Sequence, residues 1–272
     1  MKQTTKTTKH STSYIKAYED VELLKNDDLR PVRMELETLK PEIYFRKKGV
    51  TETIVCFGSA RIADEETAKT KLDTAKKALA KKPQDITLQN KVKSAQGLLS
   101  LSKYYDEARR FAKLVVDNAG DRFSIVTGGG PGIMEAANRG AYENGGRSIG
   151  LNITLPHEQE PNPYITTNLA FLFHYFAIRK LHFVLRARAF VVFPGGFGTF
   201  DELFEILTLI QTGKKRKIPV ILVGKEFWHS VINVEALAKY GVISMEDKHL
   251  CPIVETAEEA WDIVAKFYKL NK

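Results

Sequence analysis

Short apolar runs recur along the chain, each closed by glycine or proline and followed by a stretch with helical spacing. Residues 53–57, 123–127, 148–153, 189–193, 218–224 and 252–254 are such runs. They are too short for core helices and lack strict alternation, which fits strands buried on both faces. Strands alternating with helices predict an α/β fold: a doubly wound parallel sheet with helices on both faces. Ligands in such sheets bind outside the carboxyl ends of the strands. The turns that follow the apolar runs are therefore the places to look for chemistry.

Other segments read as helices outside that alternation. Residues 14–49 form a helical extension ahead of the first strand. Pro31 opens its longer helix, Pro41 is expected to kink or divide it, and Val32, Leu36, Leu39 and Ile43 give it an apolar stripe. That stripe is expected to pack on the main domain or on a partner subunit. Residues 62–102 are rich in Lys, Ala, Leu and Gln and read as a helical insertion within a domain spanning 50–272. Asp64 caps its first helix, Pro83 ends it, and a second helix continues towards Asn118 with Gly97 as a candidate break. Residues 171–188 are apolar almost all round and predict one largely buried helix. Residues 227–240 predict another helix, and Thr256 caps a last one from Ala257. Residues 156–168, with His157, Glu158, Pro161 and Pro163, read as a polar loop near the sheet's carboxyl edge.

Three of the strand-ending turns carry candidate chemistry. The first strand ends in Gly58-Ser59-Ala60-Arg61, which presents a hydroxyl or simply caps a turn. The second runs into Gly128-Gly129-Gly130-Pro131-Gly132 before a helix. The fourth runs into Pro194-Gly195-Gly196-Phe197-Gly198-Thr199-Phe200-Asp201-Glu202. Glycines let a ligand approach the backbone closely, and amides at a helix start favour an anion such as phosphate. Thr199 is a candidate N-cap or ligand hydroxyl, and Glu202 is read as a first-turn carboxylate. In the helix before the fourth strand, Arg179 must meet a carboxylate or a phosphate if it is buried. Lys180, His174 and His182 on the same helix read as structural on their own.

Composition narrows the partners. The 272 residues are 43% hydrophobic and 27% charged, which suits one large globular domain with appendages. No apolar run approaches the roughly 20 residues that span a bilayer. Residues 1–13 are polar and Lys/Thr-rich and are expected to form a disordered tail. Cys56 and Cys251 read as buried free thiols in a reducing cytoplasm. Net charge is +8, partly from the run Lys214-Lys215-Arg216-Lys217, whose cations complement a helix C-terminus. No zinc-finger, basic-zipper or aromatic RNA-binding pattern accompanies it, so nucleic acid is disfavoured as a partner. His174 and His182 lack the spacing of a helical metal pair, and no metal or other cofactor is expected.

No P-loop, dinucleotide fingerprint or nucleophile elbow is present. What remains is a phosphate cradle, a carboxylate and a guanidinium. These suit cleavage of the N-glycosidic bond of a nucleoside monophosphate, in which positive charge develops on the ribose. The alternative is a non-catalytic carrier of a nucleotide or phosphorylated cofactor that uses the same cradle, against which the intact Glu202 and Arg179 weigh.

The two glycine motifs and the Arg179-Lys180 pair together resemble the Lonely Guy (LOG) family. This family comprises cytokinin riboside 5′-monophosphate phosphoribohydrolases and bacterial nucleotide 5′-monophosphate nucleosidases. Its Pro-Gly-Gly-x-Gly-Thr-x-x-Glu pattern is matched in full. The resemblance covers residues 51–272 and implies a Rossmann-like fold and a homodimer. It implies Arg179 and Glu202 as catalytic residues, with Gly195, Gly196, Gly198 and Thr199 on the phosphate. It also implies that Ser59, Gly128, Gly129, Gly130, Glu135 and Lys180 line the nucleotide site. Members often carry a lysine decarboxylase label, but no lysine here is marked out for pyridoxal chemistry. The family's short form lacks residues 62–102 and the extension. A purine nucleotide such as AMP is therefore the favoured substrate over a cytokinin ribotide.

Overall fold

The computed structural model describes residues 11–156 and 160–270. The expected tail falls mostly on residues 1–10, and His157 and Glu158 of the expected loop also lie outside the described residues. At the centre is a seven-stranded parallel sheet in the order β4-β3-β2-β1-β5-β6-β7. Its strands are β1 (Glu52–Phe57), β2 (Phe123–Thr127), β3 (Ser148–Ile153), β4 (Ala170–Phe173), β5 (Ala187–Val192), β6 (Val220–Val223) and β7 (Ile253–Val254). The order reverses between β1 and β5, so the crevice of a doubly wound sheet opens beyond those two strands.

Alternate residues of β1 feed two cores. Ile54 and Cys56 face α5 (Lys103–Ala119), α6 (Ile133–Glu143) and α11 (Ala257–Tyr268). Val55 and Phe57 face α7 (Phe176–Leu185) and α8 (Phe197–Gln211) on the other side. α2 (Arg30–Lys47), preceded by the short α1 (Val21–Lys25), inserts Phe45 into that second core, and Trp228 of α9 (Lys225–Val231) closes it. The short α10 (Val234–Lys239) follows α9. At the amino edge, Glu52 accepts hydrogen bonds from Arg122 Nε at 3.1 Å and Arg188 Nε at 2.7 Å, tying β1, β2 and β5 together. Burial opposes the charge on Glu52, yet the two guanidiniums outweigh it and hold the carboxyl below its usual range.

Several expectations are corrected. The apolar run at 171–188 is divided: Ala170–Phe173 is strand β4, and the helix starts only at Phe176. Phe171 and Phe173 point inward while Leu172 points out, a period of two hidden inside a continuous apolar run. The helix is not buried all round either, because Phe176, Leu181 and Leu185 are exposed. Pro41 does not break α2. Its ring and Phe45 are buried on the inner face, and that packing outweighs one missing backbone hydrogen bond. The stripe of Val32, Leu36, Leu39 and Ile43 points to solvent instead of onto the domain.

In the insertion, α3 (Glu65–Lys81) is capped by Asp64 and α4 (Ile86–Ser100) by Asp85. The break before α5 comes at Leu101 and Ser102, not at Gly97, which stays helical. Residues 227–240 form two helices, divided where Asn233 caps α10. Thr256 caps α11 in a reciprocal arrangement with Glu259.

Candidate functional site

Backbone geometry at the switch point brings three distant turns together. The Ser59 amide donates to the Pro194 carbonyl at 3.0 Å, and the Ile133 amide donates to the Ser59 carbonyl at 3.1 Å. The turns after β1, β2 and β5 thereby become one surface. Over it lies a cleft of about 870 Å³, which Ser59, Gly128, Gly130, Gly196, Gly198, Thr199, Arg179 and Glu202 line. Residues far apart in the sequence thus share one cavity at the carboxyl edge.

The Gly195 turn leads straight into α8, whose first residues line the cleft. Gly196 occupies the cap position, so Thr199 is not the N-cap expected of it. Thr199 is instead buried within the first turn, against Gly195, where any Cβ would overlap its hydroxyl. Glu202 likewise stands in the second turn of α8, not the first. The dipole therefore contributes less to it than the sequence reading supposed, since that effect fades within one turn.

Arg179 is held from three sides. Its Nε donates to the Leu151 carbonyl at 2.7 Å, and its guanidinium stacks 5.2 Å from the Phe183 ring. On the third side it lies against Gly128: a Cβ there would come within 2.6 Å of Nη2. The absence of a side chain at Gly128 is what lets the guanidinium occupy the cleft. Burial lowers the Arg179 pKa, and the charge of Glu202 opposes that shift. The Glu202 side chain is 11% exposed. Burial pushes its carboxyl up to about 7, against the pull of Lys180 and Arg179. A carboxyl poised near neutrality beside a guanidinium can accept or release a proton at physiological pH.

Four of the expected residues lie outside the cleft lining. Gly195 sits behind Thr199. Gly129, at φ +74°, is pressed against the Asn152 carboxamide, and its carbonyl accepts the Asn162 amide at 2.9 Å. Glu135 accepts a hydrogen bond from the Tyr105 hydroxyl at 2.9 Å, joining α6 to α5. Lys180 faces the carboxylates of α8.

Three asparagines in and beneath the cleft were not anticipated. Asn138 accepts from Thr127 Oγ1 at 2.6 Å and donates to Ser148 Oγ at 2.7 Å. Asn162 donates to Asn138 Oδ1 at 2.9 Å and to the Gly130 carbonyl at 3.1 Å, fixing the glycine turn from below. Asn152 lines the cleft with a buried Oδ1 that has no hydrogen-bond partner among the described residues. A polar amide inside the apolar run 148–153 was the signal available for it. Among the described residues, no group of three or more His, Cys, Asp or Glu side chains is arranged to hold a metal, and no helix is long and apolar enough to cross a membrane.

Fold and cleft together define a parallel α/β protein with a glycine-lined crevice at its switch point. Comparisons with known proteins narrow that class. A family sequence model described as "Possible lysine decarboxylase" matches residues 134–264. The probable cytokinin riboside 5′-monophosphate phosphoribohydrolase LOGL3 of Oryza sativa subsp. japonica is 26% identical over 181 residues, which is 64% of this chain and 81% of that one. The pyrimidine/purine nucleotide 5′-monophosphate nucleosidase of Escherichia coli (strain K12) is 32% identical over 126 residues. That match spans 42% of this chain and 27% of the other. The X-ray structure of TM1055 covers 79% of this chain and 99% of its own, with a TM-score of 0.48 and 19% identity. The chain resembles the LOG family, as its two glycine motifs and its Arg-Lys pair indicate.

Proposed function

We propose that this protein hydrolyses the N-glycosidic bond of a nucleoside 5′-monophosphate, giving free base and ribose 5-phosphate. One observation carries the reading: Arg179 and Glu202 share a single cleft with the amide-lined start of α8. The names of the LOGL3 and nucleosidase relatives support the same class of reaction.

The 5′-phosphate sits against the amides of Gly196 and Gly198 and the Thr199 hydroxyl, where the helix start favours a dianion. Its binding energy positions the ribose over Glu202. As the C1′–N bond breaks, its electron pair leaves with the base and positive charge grows on the ribose. The Glu202 carboxylate stabilises that charge and takes a proton from the water that adds to C1′. The departing base gains one proton, so the balance closes with Glu202 regenerated. Arg179, fixed by Leu151 and Gly128, pairs with the phosphate or the leaving base. AMP is the favoured substrate, with cytokinin ribotides as a second class. The enzyme works in a reducing cytoplasm, where Cys56 and Cys251 remain free and buried. It works as a homodimer: a second copy covers the exposed apolar residues of α2 and α7.

The test is chromatography of free base after incubation with AMP, GMP, CMP and a cytokinin ribotide. Release from at least one is expected. Glu202→Gln and Arg179→Ala should each lower kcat by about a hundredfold or more while the protein stays folded. Nucleotide binding without release from any of the four would turn the reading to a carrier that uses the same cradle.

A further inference from the structure

We infer that Lys180 is a positioning residue: it ties the helix bearing Arg179 to the helix bearing Glu202 and keeps Glu202 available as a carboxylate, without contacting the nucleotide. The inference rests on the role proposed for Glu202. Its basis is geometric. Lys180 Nζ lies 2.8 Å from Asp201 Oδ2, 2.8 Å from Glu205 Oε2 and 3.9 Å from Glu202 Oε2. An ammonium has three protons to donate, and two are directed at carboxylates of α8. Lys180 does not line the cleft, although its neighbour Arg179 does. It borders an open groove on the outer side of α8, walled by Phe197, Phe200 and Phe204, that adjoins the cleft across Phe197 and Phe200.

The charges around Glu202 explain why such a residue is needed. From α7 come Arg179 and Lys180. On its own helix stand Asp201 and Glu205, both of which disfavour a second negative charge nearby. From the turn after β1, Arg61 lines the same cleft. Burial already favours the protonated form of Glu202, and Asp201 and Glu205 add to that, because neighbouring carboxylates resist ionising together. Lys180 answers both of them and also faces Glu202. Burial opposes the charge on Lys180, but its hydrogen bonds to Asp201 and Glu205 outweigh burial and hold the ammonium above its usual range. It therefore stays charged wherever the cleft operates. A nucleotide phosphate would have to displace two ion pairs to reach it.

Lys180→Met and Lys180→Arg separate the two roles. The measurement is kcat and KM for AMP between about pH 5 and about pH 9, with melting curves to confirm folding. A positioning role predicts that Lys180→Met moves the acidic limb of kcat/KM upward by about one pH unit, while Lys180→Arg restores it. KM at the pH optimum should stay within about threefold of the parent. A nucleotide ligand would instead raise KM about tenfold or more with the limb unmoved, and that result would overturn the inference. A readout independent of turnover is the carboxyl ¹³C resonance of Glu202, followed against pH in the parent and in Lys180→Met. An upward shift in the variant supports the inference even if no nucleotide is hydrolysed. Superimposable titrations sink it even if the enzyme is active.

Discussion

Burial holds the Glu202 carboxyl protonated up to about pH 7, whereas the unfolded chain releases that proton in the ordinary glutamate range. The folded state therefore binds the proton more tightly. The stability linked to the neutral carboxyl is complete below the unfolded pKa and is lost as pH rises through about 7. Glu202→Gln keeps the shape and removes that loss. At pH 8 the variant should be more stable by on the order of 2 kcal/mol, a rise in melting temperature of about 5 °C. Near pH 4.5 the two proteins should melt together. Calorimetry at the two pH values checks this, and a Gln variant less stable at pH 8 would contradict it. The glycine motifs and the Arg179-Lys180 pair made Arg179 and Glu202 visible in the sequence. Asn138 and Asn162 were not legible as a pair, because their hydrogen bonds are made across the fold and leave no local spacing, whereas Asn152 left one mark, a polar amide inside an apolar run.

At the scale of elements, α2 is more than a leading helix. The carboxylate of Glu37 accepts the backbone amides of His174 at 2.8 Å and Tyr175 at 3.2 Å, just ahead of α7. Glu42 pairs with Arg186 just beyond the other end, and that hydrogen bond holds the Glu42 carboxyl below its usual range. The extension thus grips both ends of the helix that presents Arg179. Its outer stripe has no partner among the described residues. Leu36→Glu with Leu39→Glu should convert the proposed dimer to monomer in light scattering. The monomer's own melting should shift by less than about 0.5 kcal/mol, because neither side chain is buried in the single chain. A variant that remains dimeric removes this face as the interface. Sequence periodicity located that stripe and the helix, but not their direction. Strand β4 was lost for a related reason: three apolar residues cannot distinguish a period of two from the start of a helix.

Across the whole molecule, the insertion stands apart from the sheet. α4 has no buried residue, and α3 contributes only Ala68 and Leu72 to buried positions. Leu98 and Leu101 pack against the core near the base of the hairpin. Replacing residues 76–92 by a short Gly/Ser turn should leave folding and base release within about twofold of the parent, since long surface segments close at small entropic cost. A loss of turnover with normal folding would assign the hairpin a part in the site. The alternation of strands and helices announced the sheet itself, down to its parallel sense. Which strands would be neighbours was not legible, because strand order is decided by packing across the whole domain.

Glu52 grips Arg122 and Arg188 at the amino edge, while Arg179 and Glu202 stand at the carboxyl edge. The two ends of the sheet answer to different demands. One end can be varied for durability by changing ion pairs that lie outside the cleft lining. The other can be varied for selectivity by changing loops on which the strand register does not depend. A descendant of this chain could acquire a new ligand without renegotiating its fold.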